Sequence, residues 1–301
     1  MRIGTLQVFR QGVNGILEQQ SKLYRTQNQL STGKRIDSPS DDPTGAAKLI
    51  GLSESAKATA QYQDNISTVQ SRLELEDGAL GSVGDALLRV RELAVAGQNN
   101  TYGQQERAAL ALEVRELADG VLGLANHKLG NGDYMFAGYQ VQTTPFSETA
   151  PGVFNYAGDQ GQRLIQVGSA RQIADGDSGQ AVFMDIPDGG GGFESVFDTL
   201  ETLAATLEAG TAPTAADLAQ VDRALEHLVG FRAVAGARLN ALESQQGINE
   251  TVLLRLESTR SGIEDLDYAD AASRLSQESI VLQAAQQALV KVQGLNLFNY
   301  L

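Results

Sequence analysis

The sequence predicts a mainly α protein: an elongated antiparallel helical bundle with terminal coiled-coil helices and a small β-rich insertion. Three observations carry this expectation. Apolar residues recur every seven positions near both ends of the 301-residue chain. Between those ends run long apolar stripes at three- and four-residue spacing, the repeat of one helix face. A single segment, residues 131–192, breaks the pattern with Gly, Pro, Thr, Phe and Tyr in short runs between turn residues.

The first element is a helix over residues 3–32. Phe9, Ile16, Leu23 and Leu30 repeat at seven, and Leu6 and Val13 fill the alternate seam position before the polar Gln20 and Gln27. A seam with two Gln is weak on its own, so its stability depends on another helix or on neighbouring chains. Gly33 stops the helix, and Pro39 and Pro43 restrict the residues before them. Asp42 followed by Pro43 opens the next helix: Asp accepts from free backbone N–H groups, and Pro in the first turn loses no hydrogen bond.

From Thr44 to about Ala96 the stripe Leu49, Leu52, Ile66, Val69, Leu73, Leu80, Leu87, Val90 and Leu93 predicts one long helix. Gly78, Gly81 and Gly84 predict a bend in it. Leu110, Val114, Leu117, Val121 and Leu124 place another helix over about 104–128. Short strands are expected at 134–139, 153–156, 163–167 and 181–184, ending in a turn of four glycines at 189–192. Helix resumes over about 193–208. Thr214, with Asp217 three residues on, caps a very long helix. A last stripe, Leu275, Leu282 and Leu289, again repeats at seven, with Val292 beside it.

The near mirror symmetry predicts a chain that folds back on itself, because each terminal stripe is too narrow to bury itself alone. The expected domains are a terminal helical assembly domain (1–42 plus 264–301), an inner long-helix bundle (43–130 plus 193–263) and a β-rich outer insertion (131–192). The assembly interface is expected at Leu6, Phe9, Val13, Ile16, Leu23 and Leu30, docked against Leu275, Leu282, Leu289 and Val292. Before assembly these stripes are expected to be exposed and poorly ordered, with burial arriving on polymerisation. Residues 1–40 carry six basic and two acidic side chains, whereas 263–301 carry two and five. That asymmetry is either chance or a complementarity between the ends.

Composition argues against several function classes. The net charge of −14 repels phosphate and anionic lipid, which disfavours nucleic-acid binding. No apolar run approaches the ~20 residues of a membrane helix, so no membrane insertion is expected. Cysteine is absent, which removes thiolate chemistry and Cys-ligated metal. The N-terminal stretch does not read as a cleaved signal peptide. The two histidines, His127 and His227, lack a partner at metal-ligand spacing, and no HExxH or P-loop occurs. No catalytic residue, cofactor or metal is therefore expected. Asp175-Gly176-Asp177-Ser178-Gly179 lacks the spacing of a calcium loop and reads as a solvated turn. Asn-x-Ser/Thr triplets at Asn65, Asn99 and Asn249 are assigned no function.

Some motifs are more specific. Gln29-Leu30-Ser31-Thr32-Gly33-Lys34-Arg35-Ile36 and Ser40-Asp41-Asp42-Pro43 resemble the N-terminal signature of the flagellin superfamily, extended by Gln61 to Ile66 and Arg91 to Val95. Ile263-Glu264-Asp265-Leu266-Asp267-Tyr268-Ala269, Leu282 to Ala288 and the terminal Leu297-Phe298-Asn299-Tyr300-Leu301 resemble its C-terminal signature. Within the superfamily the opening Met-Arg-Ile-Gly-Thr, the Pro-Ser-Asp-Asp-Pro run and Gly132 to Gly138 are most similar to subunits of the hook–filament junction.

The resemblance implies a non-enzymatic structural adaptor, with a filament-forming flagellin as the alternative. It implies export unfolded through the flagellar channel with an export chaperone. The implied partners are another hook-associated protein, flagellin subunits and copies of itself, outside the cell. It also implies that the terminal helices line a tubular core, the inner helices form a second layer and the insertion faces outward. On that reading, removal of residues 136–192 is expected to leave export and core assembly largely intact.

Overall fold

A computed structural model describes residues 2–294; the side chains of residues 2–6, 8 and 292–294 lie outside that description. Six α-helices dominate the described residues. Helix α1 spans Arg2–Thr32, α2 Pro43–Gly97, α3 Gln104–Ala125, α4 Val196–Glu208, α5 Ala215–Glu264 and α6 Tyr268–Gly294. The two capping signals act as the sequence predicts. The Gly45 amide donates to Asp42 Oδ1 at 2.9 Å at the start of α2. At the start of α5, the Thr214 amide donates to Asp217 Oδ2 at 2.6 Å, and the Asp217 amide donates back to Thr214 Oγ1. Helix α2 is assigned without interruption through Gly78, Gly81 and Gly84.

The chain divides into two units. One comprises Met1–Ala58 with Thr251–Leu301, the other Thr59–Glu250. In the second unit, α2 and α5 run antiparallel. Arg91 pairs with Asp222, Arg232 with Asp77 at 2.9 Å, and Gln63 donates to the Gln246 carbonyl, so rising numbers on one helix meet falling numbers on the other. Helices α3 and α4 pack together, with Arg115 linking to Glu201 and Glu208.

Between α3 and α4 lie three two-stranded antiparallel hairpins. They are β1 (Phe146–Ala150) with β2 (Val153–Tyr156), β3 (Leu164–Gly168) with β4 (Arg171–Ala174), and β5 (Ile186–Pro187) with β6 (Phe193–Glu194). Two expected strands are absent. Residues 134–139 make one isolated bridge, Lys128 to Tyr134, and then turn. Residues 181–184 belong to a π-helical turn, Gln180–Met184. Both segments are short apolar runs because they send Met135, Phe136, Val182 and Phe183 into the core, and burial without a ladder leaves the same trace in sequence as a buried strand. Residue 193 starts no helix either: Phe193 sits in β6, and Ser195 caps α4 by accepting from the Asp198 amide at 2.9 Å.

The first and third hairpins, with the turns between them, share one core with the helices. Phe136, Phe146, Phe183 and Phe197 meet with ring centroids 5.1 to 5.4 Å apart. They pack with Leu87 and Val90 of α2, Leu200, Leu203 and Leu207 of α4, and Val221 and Leu228 of α5. Residues 136–192 supply Phe136, Phe146 and Phe183, three of the largest fully buried rings in the unit. A second cluster seats β3 and β4, through Val167 and Ile173, on Ile66, Val69 and Leu73 of α2 and Leu242 of α5.

Candidate assembly interface

The first unit is organised by the turn between α1 and α2. Gly33 has φ +70°, a conformation that side chains with a Cβ rarely adopt, and a Cβ there would stand 2.7 Å from the Tyr268 hydroxyl. This close approach brings the start of α6 against the end of α1. Residues 33–35 then pair with the segment linking α5 to α6. The Arg35 amide donates to the Glu264 carbonyl at 2.7 Å, and the Leu266 amide donates to the Gly33 carbonyl at 3.0 Å. Side chains reinforce the junction: Arg35 donates to the Ile263 carbonyl, Lys34 pairs with Glu264, and Gln29 donates to the Arg35 carbonyl at 2.8 Å.

Beneath these bonds Ile36, Leu266 and Ala271 are buried. Gly45 is needed there as well, since a Cβ would collide with the Ile36 side chain. The electrostatics follow from the same contacts. The Gly45 amide and Arg35 hold Asp42 below the usual carboxylate range, and Glu264 lifts Lys34 above its ordinary value. Lys34–Glu264 joins the two ends by an ion pair, whereas Lys22, Arg25 and Arg35 pair with the nearby Glu18, Asp41 and Asp42.

From that lock α1 and α6 run together. Gly33 lies at Tyr268, and Gly12 lies where a Cβ would be 3.0 Å from Leu289 Cδ1, so the helices are antiparallel. Along them Val13, Ile16, Leu23 and Leu30 are half-buried, as are Leu275, Leu282 and Leu289. Phe9 remains 39% exposed. The side chains of Leu6 and Val292 lie outside the described residues, as does the terminal motif at 297–301.

The seam differs from the sequence reading in two respects. Gln27 is exposed, while Thr26 and Gln29 are buried. The heptad frame assigns Gln27 to the seam, but a straight helix drifts about 20° per heptad against that frame, so the buried face shifts by a residue. Sequence reasoning also passed over Gly12, which only its spatial neighbour Leu289 makes meaningful.

A second apolar set was missed. Leu17 and Tyr24 on α1 are 57% and 61% exposed, and Ile280 and Val290 on α6 are 62% and 66% exposed. Ile50 of α2 and Leu254 of α5 in the same unit are also exposed. The seven-residue stripes are covered in part by their partner helix, while these other residues are left to solvent. They fall outside the a and d positions of the heptad, so the seven-residue repeat does not mark them. Among the described residues no three His, Asp or Glu side chains are grouped to hold a metal, and no helix is long and apolar enough to cross a membrane.

Comparison with known proteins gives this geometry a context. Residues 3–141 match the family model for the bacterial flagellin N-terminal helical region, and residues 218–301 match that for the C-terminal helical region. The chain is 31% identical to flagellar hook-associated protein 3 of Escherichia coli (strain K12), with 99% of each chain covered. It is 30% identical to flagellin of Bacillus subtilis (strain 168), covering 93% of this chain and 92% of that one. Among solved structures, flagellar hook-associated protein 3 from Legionella pneumophila superimposes with a TM-score of 0.67 at 22% identity, over 70% of this chain and 98% of that one.

Proposed function

The chain belongs to the bacterial flagellin family, and from that premise we propose that it is the structural adaptor at the junction between flagellar hook and filament. It is a component of the flagellum and a structural protein, not an enzyme. The observation that carries the adaptor reading is the end-to-end match to a hook-associated protein 3, in which almost no residue of either chain is left over. The terminal unit supports it. Its locked, antiparallel helix pair presents Leu17, Tyr24, Ile280 and Val290 to solvent, where neighbouring subunits can cover them.

In this reading, Phe9, Val13, Ile16, Leu23, Leu30, Leu275, Leu282 and Leu289 join the two ends within one subunit, with Leu6 and Val292 extending the same stripes. Their partly exposed edges, together with the second apolar set, meet other subunits: copies of this chain, another hook-associated protein on one side and flagellin on the other. Export proceeds unfolded through the flagellar channel with an export chaperone, and the chain comes to rest outside the cell.

The second reading, a filament-forming flagellin, is favoured by the 30% identity to a flagellin over most of its length. Polymerisation separates the two. Purified chain is seeded with short fragments of its own assembled material under filament-forming salt. An adaptor gives no long homopolymer by electron microscopy, and filaments that elongate with this chain alone establish the second reading instead.

A further inference from the structure

The turn after β4, which the sequence presents as a solvated acidic loop, is buried. Asp175 is 5% exposed and Asp177 4%. Both are paired. Arg238 of α5 forks onto Asp177 with bonds of 3.0 and 2.9 Å, and Gln162 adds a third at 2.7 Å. Arg163 donates to Asp175 at 2.7 Å, and Arg72 of α2 lies 3.5 Å from the same carboxylate. Paired in this way, the two aspartates tie the β3–β4 hairpin to both long helices.

A third carboxyl sits among them. Glu76 of α2 is 1% exposed. Its Oε1 accepts from the Asp177 amide at 3.0 Å, and its Oε2 is buried with no hydrogen-bond partner. The charged groups around it are Arg72 on its own helix, Arg238 on α5, and Arg163, Asp175 and Asp177 on the segments flanking the hairpin. Arg163 and Arg238 direct their bonds to the two aspartates, and Arg72, within ion-pair distance of Asp175, leaves its buried Nε without a hydrogen-bond partner. Glu76 sits beside Asp177 with one backbone donor.

We propose that Glu76 acts as a proton-held latch: protonated at neutral pH it lets the 175–178 turn seat on α2 and α5, and its ionisation on alkalinisation loosens the β3–β4 hairpin. An isolated carboxylate in a low-dielectric site is costly, and a neutral carboxylic acid is far less so. Burial first, and the neighbouring Asp177 second, push the Glu76 carboxyl up to about 8, against the pull of Arg238 and Arg72. The folded value lies above the unfolded one. The stability that depends on this proton is therefore complete below the ordinary Glu range of about 4.5 and is lost as pH rises to and through about 8. Ionised Glu76 then repels Asp177, the residue that anchors the turn.

Amide hydrogen exchange between pH 6 and 9.5, corrected for intrinsic rates, reads this directly in the full chain. In the wild type, opening of residues 164–177 is expected to rise up to tenfold per pH unit from pH 6 to about 8 and to level off above it, while β1–β2 shows no such step. Glu76→Gln keeps the size and the acceptor but cannot ionise, and its exchange is expected to show no step. Equal pH profiles in the two proteins would overturn the proposal. So would a carbon-13 titration of the wild-type Glu76 carboxyl showing it ionised below pH 6, a reading that holds even where the variant folds poorly.

Discussion

At the scale of single residues, backbone conformation and burial decide more than residue type. Gly33 is legible as a helix stop, but its contact with Tyr268 is not, because 235 positions separate them. Gly33→Ala forces a Cβ into a left-handed conformation and towards the Tyr268 hydroxyl. The expected loss is about 1–2 kcal/mol from backbone strain before any repacking, measured by denaturant unfolding of the full chain. An unchanged midpoint would mean the α1–α6 lock is not held there.

The reading of Asp175 to Gly179 as solvated failed for a related reason. Hydrophilic composition signals exposure only when no partner is supplied, and Arg72 and Arg238 come from helices far away in sequence. Asn65 and Asn249, dismissed as chance triplets, donate to the carbonyls of Gln166 and Val167 at 2.7 and 3.0 Å. They pin β3 from α2 and α5.

At the scale of elements, the helices were legible and the strands only in part: the runs at 153–156 and 163–167 are β2 and β3, while β1, β4, β5 and β6 were not foreseen. Heptads and capping pairs are local signals, and α1, α2, α5 and α6 follow them to within a few residues. Strand pairing is non-local, and the buried runs at 134–139 and 181–184 imitate strands while serving as core-filling turns. Strand β4, Arg-Gln-Ile-Ala, is too short and polar to announce itself. The cover that each terminal stripe needs is another helix, and α6 supplies part of it to α1. Leu282 lies mid-way along α6, where Pro removes a hydrogen bond and clashes with the preceding turn, a loss of about 3 kcal/mol or more. Leu282→Pro is expected to fold normally in residues 59–250 and to fail to incorporate into flagella. Recovery of the variant in purified flagella at the wild-type level would contradict this.

At the scale of the whole molecule, the fold class and the association of the two ends were readable, because both rest on stripes that need cover. The intimate packing of the insertion was not readable, since nothing local shows that Phe136 meets Phe183, or that Phe146 and Phe183 meet Phe197. Removing residues 136–192 is accordingly expected to unfold the second unit. Loss of even one large core ring costs about 3–5 kcal/mol, a large part of a domain's stability. Circular dichroism of that deletion should show lost cooperativity, and a sharp native-like transition would show the insertion to be dispensable. The adaptor role belongs to this scale, and a strain lacking the chain tests it. The account predicts flagellin released into the medium by cells that bear hooks without filaments, with filaments restored by the wild-type chain. Filaments of normal length on the deletion strain would contradict it.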